Sequence, residues 1–127
     1  MLKLVLHHLN GSLIKGTTTD FAPDRQAFHI KVQETGRLQK VNTAELKAIF
    51  FVKSFEGDQH HIERSDVERL GFGKKIKVRF KDGETLFGFT TSYSPGRPSF
   101  FVFPADPDSN NQRILVLDHS TSAIDFA

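Results

Sequence analysis

Two short segments repeat one polar arrangement, Asp20-Phe21-Ala22-Pro23-Asp24-Arg25 and Ser92-Tyr93-Ser94-Pro95-Gly96-Arg97. An arginine behind a Pro-led turn presents a planar fork of donors that suits bidentate contact with carboxylate or phosphate. With the two segments related by a pseudo-two-fold axis, Arg25 and Arg97 would clamp a ligand or partner bearing two anionic groups, flanked by Asp20, Asp24 and Tyr93. The competing account is that each arginine binds a nearby carbonyl or carboxylate and pins its own turn. A second candidate is Asp106-Pro107-Asp108-Ser109-Asn110-Asn111, which has the acidic spacing of a calcium loop start. Its sixth position is Asn111 rather than glycine and its twelfth is Leu117 rather than glutamate, so a self-bonded turn explains it better. Asp106, Asp108, Asn110 and Asn111 nonetheless remain candidate partner contacts, because insertions of this kind carry function more often than core positions do.

The histidines offer little further chemistry. His7 and His8 are neighbours on an extended segment and point to opposite faces, so they do not share a metal. His60, His61 and Glu63 sit in a polar stretch and would bind a transition metal only if the fold gathered them; ordinary solvated side chains are the default, and no metal or cofactor is expected. Leu86-Phe87-Gly88-Phe89 and Arg69-Leu70-Gly71-Phe72-Gly73 partly follow the glycine-aromatic spacing of an RNA-stacking strand. Lys74-Lys75 stands where that strand needs an aromatic and a valine, so core packing accounts for these rings. No Ser-His-Asp grouping, acid pair or phosphate-cradling glycine loop has a positional rationale, and an enzyme is not expected.

The elements that would hold these residues occur twice. With residues 3–30 set against 75–102, eight of 28 positions coincide: Lys3/Lys75, Gly11/Gly83, Gly16/Gly88, Thr18/Thr90, Thr19/Thr91, Pro23/Pro95, Arg25/Arg97 and Phe28/Phe100. Leu2, Leu4 and Leu6 alternate with Lys3, Val5 and His7, and Ile76, Val78 and Phe80 with Lys75, Lys77 and Arg79, the period-two pattern of strands with one face buried. Asn10-Gly11 and Asp82-Gly83 follow as hairpin signals of the type I′ class. Gly16 and Gly88, inside the return strands, suggest a bulge or sharp bend. Third strands are expected at Phe28 to Val32 and Phe100 to Phe103, and fourth strands near Arg37 to Val41 and Arg113 to Leu117. Ala44-Glu45-Leu46 reads as one helical turn capped by Thr43, and closing strands follow at Ala48 to Val52 and Ala123 to Phe126. Ser65-Asp66-Val67-Glu68 is a capping-box pattern that predicts a short helix ended by Gly71, with Leu70 as its apolar contact.

The expected architecture is therefore mainly all-β: a tandem pair of small five-stranded barrels, residues 1–54 and 74–127, joined by a polar linker, 55–73, holding that helix. A unit of about 55 residues is near the lower limit for a self-sufficient core, so the copies should pack on each other. The chain of 127 residues has no cysteine, and thirteen Phe must supply its core. No apolar run reaches the length of a membrane span and no signal pattern opens the chain, which predicts a cytoplasmic protein without membrane insertion. Seventeen bases against fifteen acids give +2, too little for strong nonspecific attraction to nucleic acid unless the bases cluster.

The alternating strand, Asp82-Gly83, Gly88 and a closing strand after a polar loop follow the order of the first Sm motif, and the chain resembles Sm-like and SH3-like barrels. Sm proteins bind RNA in rings through a loop asparagine and a basic-glycine pair. Here Gly36-Arg37 reverses that pair and Arg113 lacks a neighbouring glycine, so the resemblance implies a protein-interaction module. The Pro-led corners resemble the glycine-proximal motif of PilZ domains, barrels that bind cyclic di-GMP. Asp20-Phe21-Ala22 keeps the acid but not the serine of that motif, Ser92-Tyr93-Ser94 keeps a serine but not the acid, and no Arg-x-x-x-Arg is present, which implies that cyclic di-GMP binding has been lost. The stretches Ala44 to Lys53 and Phe103 to Asn111 are similar to an uncharacterised bacterial family of duplicated small barrels found near signalling domains. That similarity implies a bacterial, cytoplasmic, regulatory setting.

The expected function is a non-catalytic adaptor that binds a protein partner through its paired repeats. The runner-up is a binder of a small anionic ligand, such as a cyclic dinucleotide, or of RNA, using Arg25, Arg97, Lys74, Lys75, Lys77 and Arg79.

Overall fold

A computed structural model describes residues 2–57 and 60–126 of the chain. The first copy forms β1 (Leu2–His8), β2 (Leu13–Thr18), β3 (Ala27–Val32), β4 (Leu38–Asn42) and β5 (Leu46–Val52). The second forms β6 (Lys74–Phe80), β7 (Thr85–Thr90), β8 (Ser99–Pro104), β9 (Asn111–Leu117) and β10 (Thr121–Phe126). Each last strand is preceded by one short 3-10 turn, Thr43–Glu45 or Asp118–Ser120. The side chain of Asn42, rather than Thr43, caps the first by accepting from the Ala44 N–H at 2.9 Å.

Both hairpins are one residue longer than a type I′ turn. The N–H of Gly11 donates to His8 O at 3.0 Å and that of Gly83 to Phe80 O at 3.0 Å. Only the glycine of each turn has positive φ, +90° and +95°. This is the three-residue loop in which a type I turn ends on a left-handed glycine. The Pro-led corners close as four-residue turns, Arg25 N–H to Ala22 O at 3.1 Å and Arg97 N–H to Ser94 O at 3.2 Å. Gly96 has φ +87° and makes the second a type II turn, a conformation Asp24 does not adopt in the first.

The ten strands form one antiparallel sheet in the order β10-β6-β7-β8-β9-β5-β1-β2-β3-β4. This corrects the expectation of two separate five-stranded barrels. The decisive strand is β5, which pairs with β1 on one side, Leu6 opposite Ile49, and with β9 of the other copy on the other, Ile49 opposite Leu115. Side chains alternate across a strand, so β5 and β9 serve two cores at once. Ile49, Phe51, Leu115 and Leu117 join Leu4, Leu6, Phe28 and Ile30 in the first; Ala48, Ile114 and Val116 join Ile76, Val78, Phe80, Phe100 and Val102 in the second. The first core thus takes two leucines from the second copy, each contributing roughly 1.5–3 kcal/mol on burial.

The predicted linker helix is absent among the described residues. Leu70, its intended apolar anchor, is 96% exposed and has no core to face. The segment is instead irregular chain held against the second copy, with a turn at 70–71. The Arg64 N–H donates to Asp106 Oδ2 at 3.0 Å, Arg69 donates to Pro104 O at 2.9 Å, and Phe72 lies edge-on to Phe103 with centroids 5.1 Å apart. Gly16 and Gly88 are also not bulge glycines. They pair in register with Val32 and Pro104, and a Cβ on either would lie 2.3 Å from Lys31 O or 2.2 Å from Phe103 O. Glycine is needed there because β3 and β8 cross at close range.

Candidate functional site

The pairing of β5 with β9 is head-to-tail: the last strand of one copy meets the fourth strand of the other. No two-fold axis relates the copies, and Arg25 and Arg97 do not face each other across one. Each binds the carbonyl five residues earlier in its own corner, Arg25 Nη1 to Asp20 O at 2.9 Å and Arg97 Nη1 to Ser92 O at 3.5 Å. The corners do meet in another way. Pro23 and Asp24 from the first, with Ser92 and Arg97 from the second, rim an open groove of about 350 Å³ floored by Phe100, Phe101 and Leu115. An anion, a cation and an apolar floor stand together where the copies abut.

Asp20 belongs to a different arrangement. Its Oδ1 accepts from the His29 N–H at 2.9 Å and Thr18 Oγ1 at 3.2 Å, and its Oδ2 lies 2.8 Å from His29 Nδ1. The His29 ring, then the His29 backbone N–H, hold the Asp20 carboxyl down at about 2. These residues line an open pocket of about 390 Å³ with Thr17, Lys31 and Leu38. The second copy keeps the cap without the charge, since Ser92 Oγ accepts from the Phe101 N–H at 2.9 Å. Tyr93 closes the end of the second core against Phe100 and Phe126, as Phe21 does against Phe28 and Phe51 in the first.

The Asp106 to Asn111 loop ties the copies together. Asn110 Oδ1 accepts from the Ser54 N–H at 3.1 Å and its Nδ2 donates to Ser54 O at 2.9 Å. The Asn111 N–H donates to Ser109 Oγ at 3.1 Å, and Asn111 opens β9. Asp106 is 1% exposed. Its carboxylate takes the N–H groups of Asp108 at 2.9 Å and Arg64 at 3.0 Å, which hold its pKa below the usual carboxylate range. Asp108 and Asn110 face an open pocket of about 660 Å³ completed by Lys53, Ser54, Glu56, Gly57, His61 and Glu63.

Two features were not singled out from the sequence. Lys47, 8% exposed, places Nζ 2.7 Å from Asp82 Oδ2, 2.8 Å from Glu84 Oε1 and 4.5 Å from the Phe80 ring centroid. Burial works against its charge, but the two carboxylates raise its pKa overall, and Lys47 in turn lowers that of Asp82. A lysine inside the apolar run Leu46 to Val52 was the available signal. The second feature is a basic outer face on the first copy. The register sets Lys3, Thr17, Lys31 and Leu38 in a row across β1 to β4, with Lys15 and Lys40 on the same face, and all four lysines are exposed. Lysines spaced along separate strands give no local sequence signal.

Over residues 2–126 the chain matches a family of unknown function, DUF6982, and it belongs to that family. No curated protein and no solved structure matches it. Among the described residues no helix is long and apolar enough to cross a membrane.

Proposed function

We propose that the protein is a non-catalytic adaptor that seats a protein partner in the groove between its two copies, in a bacterial, cytoplasmic, regulatory setting. The observation that carries this reading is the groove itself. Phe100, Phe101 and Leu115 give an apolar floor, with Asp24 and Arg97 of opposite charge at the rim. An acid beside the arginine disfavours a dianionic ligand, whereas apolar contact framed by both signs of charge suits a peptide or a protein edge. The test compares capture by the parent chain, Arg97→Glu and Asp24→Arg. A stoichiometric protein retained by the parent at high salt and lost by both reversals is the expected result. Retention by both variants, or recovery of RNA or nucleotide in place of protein, overturns the reading.

A second reading, binding of an anionic ligand or RNA, is favoured by the face of Lys3, Lys15, Lys31 and Lys40. In the second copy Phe87 and Phe103 stand where the first has Lys15 and Lys31, and the lysines of that face are partly balanced, with Lys77 opposite Asp125 and Lys75 Nζ 3.8 Å from Glu68 Oε1. Phosphate-dominated binding would fall steeply as salt rises.

A further inference from the structure

His61 and Glu63 reach the second copy beside Asp106, and the three donor groups converge. The ligand atoms of His61, Glu63 and Asp106 all lie within 4.8 Å of one another. His61 Nε2 is 2.9 Å from Asp106 Oδ2 and 3.7 Å from Glu63 Oε1. Donor atoms around a tetrahedral zinc, with metal–ligand distances of about 2.0–2.2 Å, stand roughly 3.3–3.5 Å apart. The observed separations bracket that value.

A second observation points the same way. His61 Nε2 is buried and lies 2.9 Å from Asp106 Oδ2 without a well-directed hydrogen bond to it. A buried ring nitrogen held against carboxylate oxygens in a poorly directed contact forgoes part of the energy that a well-aligned hydrogen bond would supply. A cation placed among the three atoms would accept its lone pair and balance both acids. Asp106 is already oriented for this role by the N–H groups of Asp108 and Arg64. Such backing fixes a ligand carboxylate before the ion arrives.

We propose that His61 Nε2, Glu63 and Asp106 bind one divalent transition-metal ion of the zinc class, tying the linker to the Asp106 to Asn111 loop. One nitrogen and two oxygen donors suit Zn2+ better than calcium, which takes six or more oxygen ligands. Three protein ligands leave a coordination position for water or for a group from a partner. The pocket of about 660 Å³ lined by His61, Glu63, Glu56 and Asp108 provides space for it. The proposal does not rest on the groove between the copies, which involves none of these residues.

The test titrates Zn2+ into chelator-treated full-length protein by calorimetry, with Co2+ absorption as a second readout of coordination. The parent should bind one equivalent and gain thermal stability with it. His61→Ala and Glu63→Gln should abolish both effects, while His60→Ala should leave them intact. Glu63 is half-exposed, so Glu63→Gln keeps the test meaningful if His61→Ala folds poorly. No binding by the parent, full binding by Glu63→Gln, or loss of binding in His60→Ala would each overturn the proposal.

Discussion

Replacing Gly88 by alanine tests the reasoning about how the sheet is held together. The added Cβ would lie 2.2 Å from Phe103 O and 2.5 Å from Val102 Cγ1, where ordinary contact begins at 3.4 Å. The nearest atom is backbone and cannot swing aside, so β8 must retreat by about 1 Å. β7 and β8 are joined by only two paired positions, Gly88 with Pro104 and Phe89 with Phe103, so a retreat there disrupts much of their contact. Overpacking costs roughly 1–3 kcal/mol, and each weakened hydrogen bond about 1 kcal/mol more. Alanine restores roughly 0.5–1 kcal/mol through a less flexible unfolded chain. The net loss should be about 2–4 kcal/mol, a fall in melting temperature of roughly 4 °C per kcal/mol at this size. Urea denaturation provides the measurement, with Gly83→Ala as the comparison. Gly83 faces open space but has φ +95°, so its substitution carries backbone strain alone, about 1–2 kcal/mol. Stability of Gly88→Ala within about 0.5 kcal/mol of the parent would refute the close-crossing argument.

Two other perturbations follow from the same geometry. The Asp20 carboxyl is held near 2 against an ordinary 3.8, chiefly by the His29 ring. A depressed carboxyl stabilises the fold above the unfolded value, and that contribution is lost as pH falls from about 4 towards 2. Asp20→Asn should therefore show a shallower loss of stability across that window than the parent in pH-dependent urea melts; identical slopes would count against the ion pair. At the sheet edges, alignment of Val41 with Val116, both opposite equivalent phenylalanines, puts Lys40 and Asn42 where β9 has Leu115 and Leu117. Pairing with the first strand of each copy likewise puts Asp125 of β10 where β5 has Phe50. Charges at those places oppose repetition of the β5·β9 pairing between chains. The double substitution Lys40→Leu with Asp125→Phe should drive concentration-dependent self-association in light scattering, and an unchanged mass would remove the edge-blocking role.

The duplication, the strand positions and the apolar faces were legible in the sequence because they are local. Alternation at Leu4/Leu6 and Ile76/Val78, the turn glycines Gly11 and Gly83, and the corners at Pro23 and Pro95 follow from period-two burial and from backbone conformations that few residues adopt. The edge-to-edge pairing of β5 with β9 was not legible. The runs Leu46 to Val52 and Asn111 to Leu117 show apolar residues on both faces, but nothing local says which strand covers which face. Likewise Ser65 to Glu68 carries a helix-starting pattern, yet Leu70 finds no apolar surface and the linker gains its contacts from Asp106, Pro104 and Phe103 instead.

The site divides along the same line. The sequence alone determined which residues carry polar chemistry: the two arginine corners, the Asp106 to Asn111 loop and the linker histidines. Only the tertiary structure decided which of them meet. Head-to-tail pairing of β5 and β9 sets Asp24 and Arg97 on one groove, leaves Arg25 and Arg97 each on a carbonyl of its own corner, and brings His61 and Glu63 to a buried Asp106 more than forty positions away. Such meetings depend on which sheet edges join, a choice made by burial summed over both cores rather than by the preferences of any one segment.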